Sequence, residues 1–407
     1  MTLAANLLQP LNGNNKLFYM NKLILTFSFA MALFFGNGQT TLTQKIGIFA
    51  PLYLDSIFTN NQYQFGNNFP RFALQGIDFL QGAQAAIDSF PIQNSNIEYF
   101  FFDTKSDSQK VAQLIKNKKI ENLSLIIGLV KDDDVTQLAS FAKYKQIPFI
   151  SVIYPNDGGI TNNPYFLIAN ATLKTHCESI FSYLLQNHSG DNIIHVYQTG
   201  EQENRIINYF NKCNHPDNKA LLPIQKILLD SNYYLIKNKL DSNKNNIIIA
   251  GSLDEDFANN ICKTIYSIDK KYKLTVIGMP NWDGFSFLSK NSKNQYKDLP
   301  IYYTSIYYNN KEDSFSNVLQ NTYANLYKGK PSDYAFKGFE MIYLFSRILS
   351  NYTNDFIGNV NDQTFQLFSK YNFVPISIHK NSYTPDYWEN KHLFFLKRLN
   401  GVSSRAW

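Results

Sequence analysis

Cysteine is scarce in this chain: Cys177, Cys213 and Cys262 are the three among 407 residues. An odd number cannot pair completely within one chain, none forms a C-x-x-C pair, and the spacing fits no zinc pattern. They read as mostly buried small apolar residues. The six histidines are scattered without an H-E-x-x-H, and neither a G-x-S-x-G elbow nor a Walker-type loop occurs. No catalytic residue, metal ligand or cofactor is assigned. Charge of one sign is not concentrated either. The net charge of +6 is modest for this length and the lysines are dispersed, so no phosphate-binding track is indicated and nucleic acid is not an expected partner.

Long hydrophobic runs are also missing. The most apolar stretch lies in MNKLILTFSFAMALFFGNGQT from Met20, where Leu23 to Phe35 is too short for a comfortable membrane span. One Lys, an apolar run and a small polar region in that order predict a secretory signal peptide. Residues 1 to 19 form an extension before it, and Met20 is the expected true start. No Cys follows the run, so a lipid anchor is not predicted, and the membrane is met only through the signal segment if it stays uncleaved.

What the sequence does contain is 44% hydrophobic and 15% aromatic content, enough for two domains with a core each. From Lys45 short apolar runs alternate with amphipathic helical segments, the pattern of a parallel sheet covered on both faces. The clearest unit is Leu123 to Tyr154. Its apolar run, turn at Gly128, helix from about Asp132 to Lys145 and second run after Pro148 make a β-α-β unit. Ligands of open α/β sheets sit beyond the carboxyl ends of strands, which selects Leu129, Val130, Lys131, Ser151 and Tyr154. Other strands are predicted at Ile46 to Ala50 and Ile97 to Phe102, with helices at Ala73 to Phe90 and Ser106 to Lys116. Gly76 and Gly82 allow the first helix close to the sheet. After Ala169 the alternation repeats through Leu274 to Gly278. Beyond it come a strand-like Ile301 to Tyr308, helices Ser314 to Tyr327 and Ala335 to Leu349, and two closing strands.

This order of elements, together with LQGIDFLQGAQAAIDSF (74 to 90), FFFDTKSD (100 to 107), LIIGLV (125 to 130), IPFIS (147 to 151) and YKGKPSDYAFKGFEMIYLF (327 to 345), resembles the type I periplasmic binding proteins. The similarity is to a divergent form of the branched-chain amino-acid ABC-transporter substrate-binding proteins and spans roughly residues 45 to 350. It implies an α/β fold of two doubly wound parallel-sheet lobes joined by a multi-strand hinge. Lobe 1 would hold residues 45–169 and 302–350, lobe 2 residues 170–300 and 351–400, with residues 1–40 as extension and signal peptide. It also implies a periplasmic location.

The resemblance further implies site residues. In relatives, G-P and small hydroxyl residues after the third strand hold a ligand carboxylate at a helix N-terminus. Here Gly128-Leu129-Val130-Lys131 is followed by Asp132, Asp133 and Asp134. These acids suit helix capping and also oppose an anion, by ~1 kcal/mol in water to ~4 kcal/mol near a protein surface at about 4 Å. Lys131 offsets part of that repulsion. Ser151 and Tyr154 match positions that contact ligand backbone, with Ser151-Val152 in place of the usual S-P. Tyr53 and Asp55 follow the first strand, where relatives place an aromatic wall. In the second lobe an aromatic-glycine pair is replaced by Gln198-Thr199-Gly200. Trp282 beside Asp283 suits a cationic or amino-bearing ligand, although P-N-W-D-G is equally good turn chemistry. Tyr303 shares a strand face with Tyr307.

The expected function is an exported solute-binding protein that takes a small polar ligand, amino-acid or amide-like, in the interlobe cleft for an ABC transporter permease. The alternative keeps the fold as an envelope sensor or interaction module. An enzyme of two doubly wound lobes lacks its phosphate-cradling glycine loop, and a regulator would need a helix-turn-helix where the signal-like segment stands.

Overall fold

The computed structural model describes residues 43–66, 68–89, 96–229, 233–268, 270–288, 295–378 and 384–407. The signal segment and the extension before it lie outside these residues. Among the described residues, two seven-stranded sheets carry the fold.

In the first sheet β1 (Gln44–Ala50) is flanked by β4 (Ile97–Asp103) and β5 (Leu125–Gly128), followed outward by β6 (Phe149–Ser151) and β7 (Phe166–Ile168), all parallel. The order β4-β1-β5-β6-β7 puts a topological switch point between β1 and β5. Between β1 and β4 come a short helix α1 (Leu54–Ile57), a small hairpin of β2 (Phe58–Thr59) and β3 (Gln62–Tyr63), and helix α2 (Arg71–Ser89). Side chains alternate along the strands. Ile46, Ile48, Leu125, Ile127 and Ile150 enter one core, whereas Phe49, Ile126 and Phe149 enter another under α4 (Asp133–Lys145). The predicted helix at Ser106 to Lys116 is divided. Extended Lys110 separates a 3₁₀ turn, Asp107–Gln109, from α3 (Val111–Lys116).

The second sheet repeats the scheme with β8 (Asn192–Tyr197), β9 (Ile224–Leu228), β10 (Asn245–Ala250), β11 (Lys273–Ile277) and β12 (Ile301–Ser305) in the order β9-β8-β10-β11-β12. Its helices are α5 (Leu173–Asn187), α6 (Glu201–Asn214) and α7 (Glu255–Ser267). Thr172 caps α5 by accepting from the Thr175 N–H, as its residue type leads one to expect. Cys177 and Cys262 are buried thiols and Cys213 is half-buried.

The C-terminal third departs from expectation. β12 is a strand of the second sheet, paired with β11, and the chain crosses to the first lobe only after it. There α8 (Ser314–Tyr327) and α9 (Asp333–Asn351) pack over α2. The tail assigned to the second lobe is split. β13 (Phe373–Ile376) and β14 (Tyr387–Asn390) extend the first sheet beside β7, while β15 (Phe394–Leu399) and β16 (Val402–Arg405) extend the second beside β12. Short strands of similar apolarity fit either edge, and long-range pairing decides between them. Residues 169–172, 306–313 and 391–393 thus make three crossings between the lobes.

Two glycines set the helix packing. A Cβ on Gly82 would collide with the Ala335 carbonyl of α9, and one on Gly338 with the Phe79 carbonyl of α2. Gly82 therefore serves helix-helix approach rather than contact with the sheet. Gly76 does lie against the strand end, at the Pro51 carbonyl.

Candidate functional site

At the carboxyl ends of β1, β4, β5 and β6 lies a crevice of about 420 Å³, lined by Pro51, Tyr53, Gln75, Thr104, Lys105, Leu129 through Asp134, and Ile153. It sits at the switch point, where diverging loops leave room between strand ends.

Asp103, the last residue of β4, builds one wall. Its buried carboxylate accepts the backbone N–H groups of Leu52 (2.9 Å), Tyr53 (3.1 Å), Leu54 (2.8 Å) and Lys105 (3.0 Å). Tyr53 is held there in the left-handed region at φ 58°. That conformation is unfavourable for a residue with a side chain, and the four N–H bonds supply compensation.

The opposite wall is acidic. Asp132 also has positive φ, 51°, and its side chain makes no capping bond to α4. The capping role is therefore not taken by this residue. Lys131, Asp132 and Asp133 are exposed. Asp134 lies 4.0 Å from Lys105. Burial raises its pKa, Lys105 opposes that shift, and Asp133 and Asp132 add to it.

A second cavity of about 300 Å³ lies between the lobes. The crossings contribute Asn170, Ala171 and Ile306, and the strand ends of the second sheet contribute Leu253, Asn281, Asp283 and Ser305. Ile153 lines the first cavity and Pro155 the second, so the two adjoin within about 8 Å of chain. Asp283 is exposed as a residue. Protein atoms nevertheless crowd its carboxyl, and desolvation raises its pKa against the hydrogen bond that Tyr303 donates at 3.0 Å. Tyr303 is itself buried and its hydroxyl pKa is pushed up. His176, also on this cavity, pairs through Nδ1 with Thr304 Oγ1 at 2.8 Å, and burial lowers its pKa to about 3.

Of the residues expected from sequence, Tyr53, Leu129 and Lys131 meet in the first crevice, and Asp283 lines the second. Tyr303 is buried in the second-lobe core and meets that cavity only through its bond to Asp283. Four more are placed elsewhere. Asp55 does not line the crevice; it accepts from Ser106 Oγ (2.8 Å) and the Asp107 N–H (2.9 Å). Ser151 is fully buried on the β6 face of Phe149, turned into the core under α4. Tyr154 is half-buried against that same core. Trp282 belongs to the core of the second lobe, packed on Phe285 and Phe287, with no indole face exposed. The pairing of Trp282 with Asp283 fails because neighbours in a 3₁₀ turn point apart, one inward and one outward.

Thr104, Lys105 and Gln75 were missed in the first crevice, as were Asn170, His176 and Ser305 in the second. The first two directly follow a predicted strand, so the strand-end rule applied to β4 would have found them. Gln198 does not open the second switch point to a ligand. It donates to Ser252 Oγ (3.1 Å), which donates to Glu203 Oε1 (2.6 Å).

The first and third crossings are tied together by one side chain. Glu389 of β14 accepts from Thr172 N–H (2.8 Å), Thr172 Oγ1 (2.8 Å) and Thr175 Oγ1 (2.6 Å) at the start of α5, and from Lys391 Nζ (2.9 Å).

Residues 71–212 match the family model described as periplasmic binding protein. Curated protein sequences give no match. Among solved structures the chain is similar to a protein described as a branched-chain amino acid ABC transporter from Rhodospirillum rubrum, at TM-score 0.65 and 11% identity over 90% of this chain and 100% of that one. It is also similar to an ABC transporter substrate-binding protein from Desulfitobacterium hafniense in complex with Leu, at TM-score 0.56 and 12% identity over 89% and 99%. A third is the branched-chain amino acid transporter substrate-binding protein LivJ from Streptococcus pneumoniae in complex with isoleucine, at TM-score 0.51 and 16% identity over 89% and 99%.

Proposed function

We propose that the chain is an exported solute-binding protein of the type I periplasmic kind, a reading supported by the family-model match over residues 71–212 and by the likeness of fold. It captures a small polar ligand, amino-acid or amide-like, between its lobes for an ABC transporter permease and performs no chemistry. The observation that carries this reading is the crevice of about 420 Å³ at the switch point of the first sheet, adjoining the interlobe cavity. Its size falls in the range of small-molecule sites. Tyr53, Leu129 and Lys131 are the first-lobe contacts in this reading, and Asp283, held by Tyr303, is the second-lobe contact. Three crossings suit hinge closure on the ligand. Relatives with leucine and isoleucine bound support the size class.

The test is a thermal-shift screen against amino acids, amides, short peptides and sugars. A ligand at about 100 times its Kd adds ~2.7 kcal/mol of stability. A shift that disappears in Asp283→Ala or Tyr53→Ala supports the reading. A flat response across the panel would leave the fold to an envelope sensor or interaction module. N-terminal sequencing of exported protein tests the signal segment; retention of Leu23 to Phe35 in a cytoplasmic product would contradict export.

A further inference from the structure

A strip of aromatic side chains adjoins the first crevice. Five rings are linked in successive contacts that begin at the first crevice: Tyr53 to Phe72 (centroids 5.0 Å apart), Phe72 to Phe65 (5.9 Å), Phe65 to Tyr63 (6.1 Å) and Tyr63 to Phe58 (5.8 Å). Tyr53 and Phe72 meet edge to face, as do Phe65 and Phe72, an arrangement that fixes the rings. The four beyond Tyr53 are between 36% and 48% exposed. No charged residue occurs from Ser56 to Pro70. A contiguous exposed apolar patch beside a cavity marks a surface that something covers. Tyr53 belongs to both the strip and the cavity, so strip and cavity are one continuous surface.

The charge on that surface is complementary to a cation. Asp132, Asp133 and Asp134 face Lys105 and Lys131 in the crevice lining, and Lys105 lies beside Asp134 at 4.0 Å. One formal negative charge is left over. The raised pKa of Asp134 comes first from burial, with Lys105 opposing it and Asp133 and Asp132 adding to it. An added carboxylate compounds this repulsion and an ammonium relieves it.

Resting on the solute-binding reading, we propose that the ligand is a ring-bearing amine without a free carboxylate: its ammonium faces the aspartates at the start of α4 and its ring covers Phe72 on the aromatic strip. L-Phenylalaninamide, L-phenylalanine and L-leucinamide separate the two parts of this claim, because the first differs from each of the other two in one group only. Binding to the full chain is measured by calorimetry at low salt and at a pH where the amines are protonated.

L-Phenylalaninamide binds most tightly. L-Phenylalanine binds about tenfold or more weakly through carboxylate repulsion. L-Leucinamide binds about 3- to 10-fold more weakly for loss of the ring contact. Phe72→Ala removes the preference over L-leucinamide, and Asp133→Asn narrows the gap to L-phenylalanine. Should Phe72→Ala fail to fold, Phe72→Leu, which keeps an apolar side chain and removes the ring, reads the same preference. L-Phenylalanine binding as tightly as its amide, or a ring preference that survives Phe72→Ala, overturns the proposal. Silence of L-phenylalaninamide overturns it too. If a free amino acid or sugar then binds, the solute-binding reading stands without it.

Discussion

The Asp103 carboxylate accepts the Tyr53 N–H at 3.1 Å and holds that tyrosine at φ 58°, with its ring on the crevice. Fifty residues of sequence separate the two, so the wall of the candidate site depends on the pairing of β1 with β4. Asp103→Ala leaves four N–H groups without their acceptor. Bonds to a charged group contribute about 1.5–3 kcal/mol each and are not additive, so a loss of about 3 kcal/mol or more is expected. Urea denaturation measures it, and a loss under about 1 kcal/mol would mean that the turn holds itself.

Helix packing gives a second prediction. The Cβ of Gly82→Ala would strike the Ala335 carbonyl, and that of Gly338→Ala the Phe79 carbonyl. Backbone cannot yield as a flexible side chain does, and overpacking costs about 1–3 kcal/mol, occasionally more. Melting of each variant should show a lowered Tm. An unchanged Tm would show that α2 and α9 separate without cost.

Two buried histidines predict acid lability. Burial lowers the pKa of both His176 and His195 from 6.5 to about 3. Between those values the unfolded chain binds the proton and the folded chain does not, so stability falls as pH drops from 6.5 toward 3. The slope is about 1.4 kcal/mol per pH unit for each histidine. His195→Leu should remove one share of it in a pH series of denaturation curves. An identical slope in the variant would mean that His195 gains its proton in the fold.

Glu389 titrates in the other usual sense of a buried group. Desolvation alone would raise its pKa, but Lys391 and the Thr175 and Thr172 bonds outweigh that and lower it below 4.5. Its stabilisation is therefore complete above the unfolded value of 4.5 and is lost as pH falls through the lower folded value. Glu389→Gln should flatten this acid limb and loosen the first crossing, read as faster hydrogen exchange at Thr172 and Thr175. Unchanged exchange there would place the hold on the crossing elsewhere.

Much of this architecture is legible in the sequence. Parallel strands buried on both faces write near-continuous apolar runs, such as Leu125 to Ile127 and Ile247 to Ile249, and amphipathic segments write their helices. The ends of β1 and β5 gave Tyr53, Leu129 and Lys131 because a strand end in such a sheet is a place that sequence can mark. Which way a side chain turns at that end is not marked. Ser151 and Trp282 went inward on a period-2 face and a 3₁₀ turn whose phase depends on one residue of register.

The sequence by itself determined the repeated α/β alternation and hence two doubly wound sheets, since local periodicity carries the information for local structure. Only the tertiary structure decided that β12 stays with the second sheet, that β13 and β14 return to the first, and that Asp103 shapes the crevice. Those outcomes rest on pairings between residues far apart in the chain, such as Trp388 with Leu167. Their free energy comes from shared hydrogen bonds and buried area, which neither partner segment encodes alone.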